Sequence, residues 1–250
     1  MLRKGTGVIE CSDASLGSKL LPFVLGLIAG SVDIIGFLGL NGLFTAHITG
    51  NLVILAAHIV AGGEASLALM ISVPVFIVAL AGTRVMAEGL ARARIAPLRA
   101  LLLLQFVLLC AFLGICMAHS HASPNAPSMI VGGMLGVSAM AVQNALVRIA
   151  LSGAPTTAVL TTNITILTID LGEMLFGRDA NRVAKARDRA RHTWPAVAGF
   201  LLGCILGAAC EAALGLRSLA LPTGFAVIAL ALGIGASSSS AMASSSIREK

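Results

Sequence analysis

The sequence predicts an all-α integral membrane protein of about six transmembrane helices plus two broken or re-entrant segments, arranged as an inverted internal repeat. Three observations carry this. Of the 250 residues, 57% are hydrophobic and only 11% charged, with a mean hydropathy of +0.96, whereas a soluble domain carries about 25% charged residues. The apolar residues lie in continuous runs and do not alternate with polar ones, which excludes a membrane barrel and leaves helices as the way to satisfy backbone amides in lipid. Finally, FTAHITGNLVIL (44–55) recurs in altered form as TTAVLTTNITIL (156–167), with a constant offset of 112 residues, as from Asn51 to Asn163. A polar motif duplicated inside apolar sequence is a signature of pseudo-symmetric membrane proteins that place their site where the copies meet.

The elements follow in order. Residues 1–19 are polar and read as a cytoplasmic N-terminal segment. The first apolar run, Leu20 to Leu43, holds Gly26 and Gly30 at a helix-packing spacing and Asp33 near its middle. The second, Thr45 to Ala61, carries the first motif copy. The third runs from Ser66 to about Met86, with a kink expected at Pro74, and a basic loop with Arg84, Arg92, Arg94 and Arg99 follows. The fourth is Leu101 to Ala118; the loop HSHASPNAPS after it has no Lys or Arg. The fifth, Met129 to about Leu151, carries Gly132, Gly136, Gln143, Asn144 and Arg148. The sixth, Thr156 to Phe176, holds the second motif copy and leads into a basic loop from Arg178 to Arg191. The seventh continues to about Leu216, with Gly199, Gly203 and Gly207 in four-residue steps, and the eighth is Leu219 to about Gly235. The membrane domain is thus 20–236, with repeat halves of about 20–118 and 127–236, and the serine-rich tail 237–250 reads as disordered.

Eight full crossings conflict with the charge distribution, because both basic loops and the N-terminus should be cytoplasmic. If each motif-bearing run is re-entrant or broken and returns to the side it came from, six helices cross. The N-terminus, both basic loops, Arg248 and Lys250 then fall inside, and only Arg217 is misplaced. Each half has an odd number of crossings, so the halves are inverted and the motif copies can meet near the midplane.

The candidate substrate-binding residues are Asp33, Thr45, His47, Thr49, Asn51, Gln143, Asn144, Thr157, Thr161 and Asn163. A carboxylate at membrane depth costs about 2.5–3.5 kcal/mol on insertion scales and usually marks an ion or substrate path, so Asp33 reads as a proton- or cation-coupling site, against the plainer reading of a packing residue. The four-residue spacing of Thr45 with Thr49, and of Thr157 with Thr161, places each pair on one helix face, where hydroxyls and the two asparagines could line a cavity or simply join helices. Asp170 and Glu173 are expected to reach the basic loop. His119 and His121 have no neighbouring carboxylate or cysteine and read as solvated. The cysteines form no metal pattern; Cys110, Cys116, Cys204 and Cys210 lie within apolar runs and behave as small hydrophobes. There is no Walker, GxSxG, HExxH or CxxC motif, so neither an enzyme, a metal nor a cofactor is expected. The net charge of +6 reflects membrane topology and not nucleic-acid binding.

The stretches AGSVDIIGFLGLNGLFTAHITGN and AVQNALVRIALSGAPTTAVLTTNITILTIDL resemble the YoaK family of bacterial membrane proteins over about residues 20–235. The resemblance implies a small, roughly six-span inner-membrane protein and brings no substrate, cofactor or mechanism. The expected function is a small-solute or ion transporter or channel of the bacterial inner membrane. The alternatives are a non-transporting partner or sensor subunit and, more remotely, an intramembrane enzyme using Asp33 and His47. The expected partners are the lipid bilayer, an unknown small solute or ion and, in a possible homo-oligomer, further copies of the chain.

Overall fold

The computed structural model describes the backbone of residues 16–62, 66–151 and 160–248, and side chains over 20–62, 66–151 and 160–234. The described residues form eight α-helices and no strand: α1 (Leu16–Gly39), α2 (Ile48–Val60), α3 (Leu67–Arg92), α4 (Pro97–Ala118), α5 (Pro127–Ala150), α6 (Leu160–Phe176), α7 (Ala180–Leu214) and α8 (Ala220–Arg248), with a 3-10 turn at Gly215–Leu219. By length and hydropathy, five stretches can cross a membrane: Leu20–Gly39, α3, α4, α5 and Ala180–Ile234, the last of which contains both α7 and the start of α8. The chain is therefore a multi-pass helical membrane protein.

Glycine sets the closest helix pair. Gly26 and Gly30 of α1 abut the backbone of Ala196, Phe200 and Cys204, while Gly199, Gly203 and Gly207 of α7 abut that of Phe23, Leu27 and Ser31. Ascending residue numbers match ascending ones, so α1 and α7 run parallel. A Cβ at Gly26, Gly30, Gly199 or Gly203 would collide with backbone atoms of the facing helix, so these positions are what lets the helices approach.

The other directions follow from similar contacts. Gly132 and Gly136 of α5 face Cys116 and Phe112 of α4, which makes that pair antiparallel. Gly133 of α5 abuts Leu40 and Leu43, while the Gln143 amide donates to the Leu25 carbonyl at 3.0 Å, so α5 also opposes α1. Gly233 of α8 abuts Leu98 and Leu102 near the start of α4. Consequently α7 and α8 form a hairpin turned at Gly215–Leu219. The connection 93–96, the basic beginning of α7 and the far end of α8 gather at one end of the bundle, where Arg99 donates to the Ile234 carbonyl at 2.9 Å. The 119–126 connection and the Gly215–Leu219 turn occupy the other end.

Several boundaries differ from the sequence reading. Most of the supposed loop at Arg178–Arg191 is helical: α7 starts at Ala180, capped by the Asp179 carboxylate, which accepts the Asn181 amide at 2.8 Å. Arg84 and Arg92 likewise belong to α3, not to a loop. The first motif run becomes helical only at Ile48. The tail expected to be disordered continues α8 along its backbone to Arg248; after Gly235 it contains neither glycine nor proline to stop a helix.

Candidate functional site

Between α1 and α2 the chain turns through Asn41 and Gly42, both at positive φ (55° and 83°), and then runs irregularly to His47. Two side chains hold this segment. Asn51, one turn into α2, reaches back to Phe44, accepting its amide and donating to its carbonyl, both at 2.8 Å; its Nδ2 also donates to Ser72 Oγ of α3 at 3.1 Å. A single buried amide thus closes the turn and ties it to a neighbouring helix.

Asp33 performs the second task. Its Oδ1 accepts the backbone amides of Thr45, Ala46 and His47 at 2.8, 2.7 and 3.3 Å, with the Thr45 hydroxyl at 3.5 Å. These are the amides that lead into α2, where a helix start leaves donors unsatisfied. The carboxylate caps α2 from another helix and meets the positive end of its dipole. Asp33 Oδ2 lies 2.6 Å from His47 Nδ1. Both oxygens of the buried carboxylate are therefore engaged.

His47 is the half-exposed member of the pair. It precedes α2, outside every stretch able to span, and packs edge-on to Phe200 at 5.4 Å and to Phe44 at 6.1 Å between ring centroids. The hydrogen bond to Asp33 raises the His47 pKa above its ordinary 6.5; burial opposes this and the carboxylate's charge assists it. The ring borders an open, mostly apolar cleft of about 490 Å³, lined by Asp33, Ile34, Phe44, His47, Thr49, Gly50, Val53, Phe200 and Cys204.

The structure thus brings Asp33, Thr45, His47, Thr49 and Asn51 together, but not as a threonine face. Thr45 precedes the helix and is buried against Asp33, whereas Thr49 is exposed on the first turn of α2 at the cleft. The pairing expected for Thr45 and Thr49 fails because Asp33, not a helical turn, takes the amides before Ile48. In the second copy, Thr157 lies outside the described residues. Thr161 is exposed on α6, and Asn163 is buried there. Over the described residues α2 packs along α3 and α6 along α7, and the two motif helices do not lie side by side. Asp170 of α6 is buried and bound by Arg189 of α7, whose Nε lies 3.1 Å from Oδ1, as expected of a residue reaching for the basic stretch.

Gln143 belongs to a separate polar group that joins α4, α5 and α1. Gln105 Nε2 donates to Gln143 Oε1 at 2.6 Å, and Gln143 donates onward to Leu25. The buried Asn144 Oδ1 and Gln105 Oε1 have no partner among the described residues. Gln105 is absent from the sequence-based candidates, although it is the one polar side chain in LLLLQFVLL and that is signal enough. Phe200 and Cys204 are absent from them as cleft residues because nothing local marks an apolar position on α7 as facing a histidine 153 positions earlier.

The profile of a family described as "Protein of unknown function (DUF1275)" matches residues 21–232, from the start of α1 to within α8. The chain belongs to this family. DUF1275 membership covers both motif copies, the cleft and the Gln105–Gln143 group. No curated protein and no solved structure matches the chain.

Proposed function

We propose that this DUF1275 protein is a transporter or channel for a small solute or ion in the bacterial inner membrane, working through the Asp33–His47 cleft. One observation carries the reading: a carboxylate–imidazole pair in an apolar bundle borders a cleft of about 490 Å³, within the range of small-molecule sites. Ionisable groups at membrane depth are costly and tend to mark paths for ions or substrates.

The architecture of this proposal is six crossings (α1, α3, α4, α5, α7 and α8), with α2 and α6 returning without crossing. The 13 residues of α2 give about 20 Å of helix against a hydrocarbon core of about 30 Å. The packing supports an inverted repeat. Exchanging α1 with α5, α2 with α6, α3 with α7 and α4 with α8 turns each of the contacts α1–α7, α1–α8 and α2–α3 into another observed contact: α3–α5, α4–α5 and α6–α7. In this reading the arginine-rich end, the N-terminus included, is cytoplasmic, the likeness to YoaK proteins concerns this membrane architecture, and no catalytic role is assigned.

The test is uptake into proteoliposomes, screened across inorganic ions and small organic solutes, for the wild type and Thr49→Trp. Thr49 lines the cleft and is exposed, so an indole there fills the space without touching the Asp33 bonds. Wild-type uptake of some solute, lost in Thr49→Trp, is expected. Uptake unaffected by that substitution would move the path elsewhere, and no uptake of any solute would favour a non-transporting partner subunit.

A further inference from the structure

We propose that His47 Nε2 is the proton-binding atom of the cleft and that Asp33, held by the start of α2, is the positioning residue that orients the ring through Nδ1. The inference rests on the reading of the cleft as a working site and reverses the role that the sequence suggests for Asp33.

Geometry assigns the hydrogens. Asp33 Oδ1 accepts three backbone amides, so the carboxylate faces α2 as an acceptor and Oδ2 is the oxygen left for His47. The hydrogen in the 2.6 Å contact between Asp33 Oδ2 and His47 Nδ1 then belongs to nitrogen. With Nδ1 protonated, the neutral ring carries its lone pair on Nε2. Nε2 has no protein partner among the described residues, and the ring lies on the cleft wall. A proton arriving from water in the cleft forms the Nε2–H bond, converts imidazole to imidazolium and breaks no bond to Asp33.

The surroundings leave His47 as the exchanging group. From α1 the titratable side chain at the cleft is Asp33; from α7 it is Cys204, whose thiol donates to the Gly30 carbonyl at 3.5 Å; α2 adds no charged residue to the wall. Asp33 acts through His47, because its carboxylate is occupied by the start of α2 and by Nδ1. Loading one proton therefore requires no rearrangement of the connection between α1 and α2.

Nitrogen-15 NMR on protein labelled at histidine and held in lipid nanodiscs tests this without reference to transport. His47→Gln identifies the His47 signals by their loss. The expected result is a neutral ring protonated at Nδ1, with Nε2 taking up a proton as pH falls. In Asp33→Asn the same transition should move to lower pH, because the carboxylate that holds Nδ1 is gone. Should Asp33→Asn fail to fold, the wild-type tautomer and titration decide the matter alone. A neutral ring protonated at Nε2, or a His47 that does not titrate between about pH 5 and 9, would overturn the inference. That failure is distinct from failure of the transport reading, which is a loss of uptake with the His47 titration intact.

Discussion

At the scale of the residue, two side chains hold the polar centre by satisfying backbone. Asp33 stands in for the local cap that α2 lacks: His47, at the cap position, makes no side-chain capping bond. Removing the carboxylate strands three amides, two of them buried, and each buried unsatisfied donor costs about 1–3 kcal/mol. Asp33→Ala should therefore lower stability by at least about 2 kcal/mol, and Asp33→Asn, which keeps one acceptor oxygen, by less; thermal unfolding in mild detergent reads the order. Equal losses for the two would show that the capping bonds matter little. Asn51 offers a sharper comparison. Asn51→Asp keeps an acceptor for the Phe44 amide and loses the donor to the Phe44 carbonyl and Ser72. It should be destabilising by about 1–3 kcal/mol in spite of its near-identical shape, and a neutral effect in the same unfolding assay would contradict the assigned amide orientation. These residues are legible in the sequence as types out of place in an apolar run. Their roles are not, because a cap supplied from another helix leaves no local trace.

At the scale of the element, the pair α1 and α7 depends on glycine where the backbones touch. Gly203→Val introduces atoms that the Leu27 backbone already occupies. It should separate the helices at a cost of about 1–3 kcal/mol, typical of overpacking. Gly82→Val, on α3 with open space around it, is the control and should be close to neutral in unfolding measurements. The glycine ladders are readable in the amino-acid sequence, because four-residue spacing has a direct packing meaning. Which ladder meets which is not readable there, since α1 and α7 are joined only through tertiary contact. The boundaries fail for a related reason: arginine-rich sequence after an apolar run looks like a loop, but it also forms good helix. With Asp179 capping it, α7 extends through the basic residues for 35 residues, about 52 Å, longer than any bilayer core.

At the scale of the whole molecule, the helix directions put both arginine-rich stretches at one end of the bundle. The proposed six-crossing topology satisfies the charge distribution, and the packing directions are compatible with it. In an otherwise cysteine-free variant, single cysteines at Ala96 and at the exposed Arg178 should be protected from an impermeant thiol reagent in intact cells, whereas one at Ser123 should be labelled. Labelling at either of the first two would break the topology. A transport path must be wet, whereas a packing cluster is dry or faces lipid. The measurement is the labelling of Thr49→Cys by a small water-soluble thiol reagent, in an otherwise cysteine-free variant held in a bilayer, with Ile169→Cys on the exposed face of α6 as the lipid-facing comparison. The thiolate is the reactive form, so labelling reports water. Rapid labelling is expected at Thr49→Cys and little at Ile169→Cys; equally slow labelling at both would contradict a water-filled cleft.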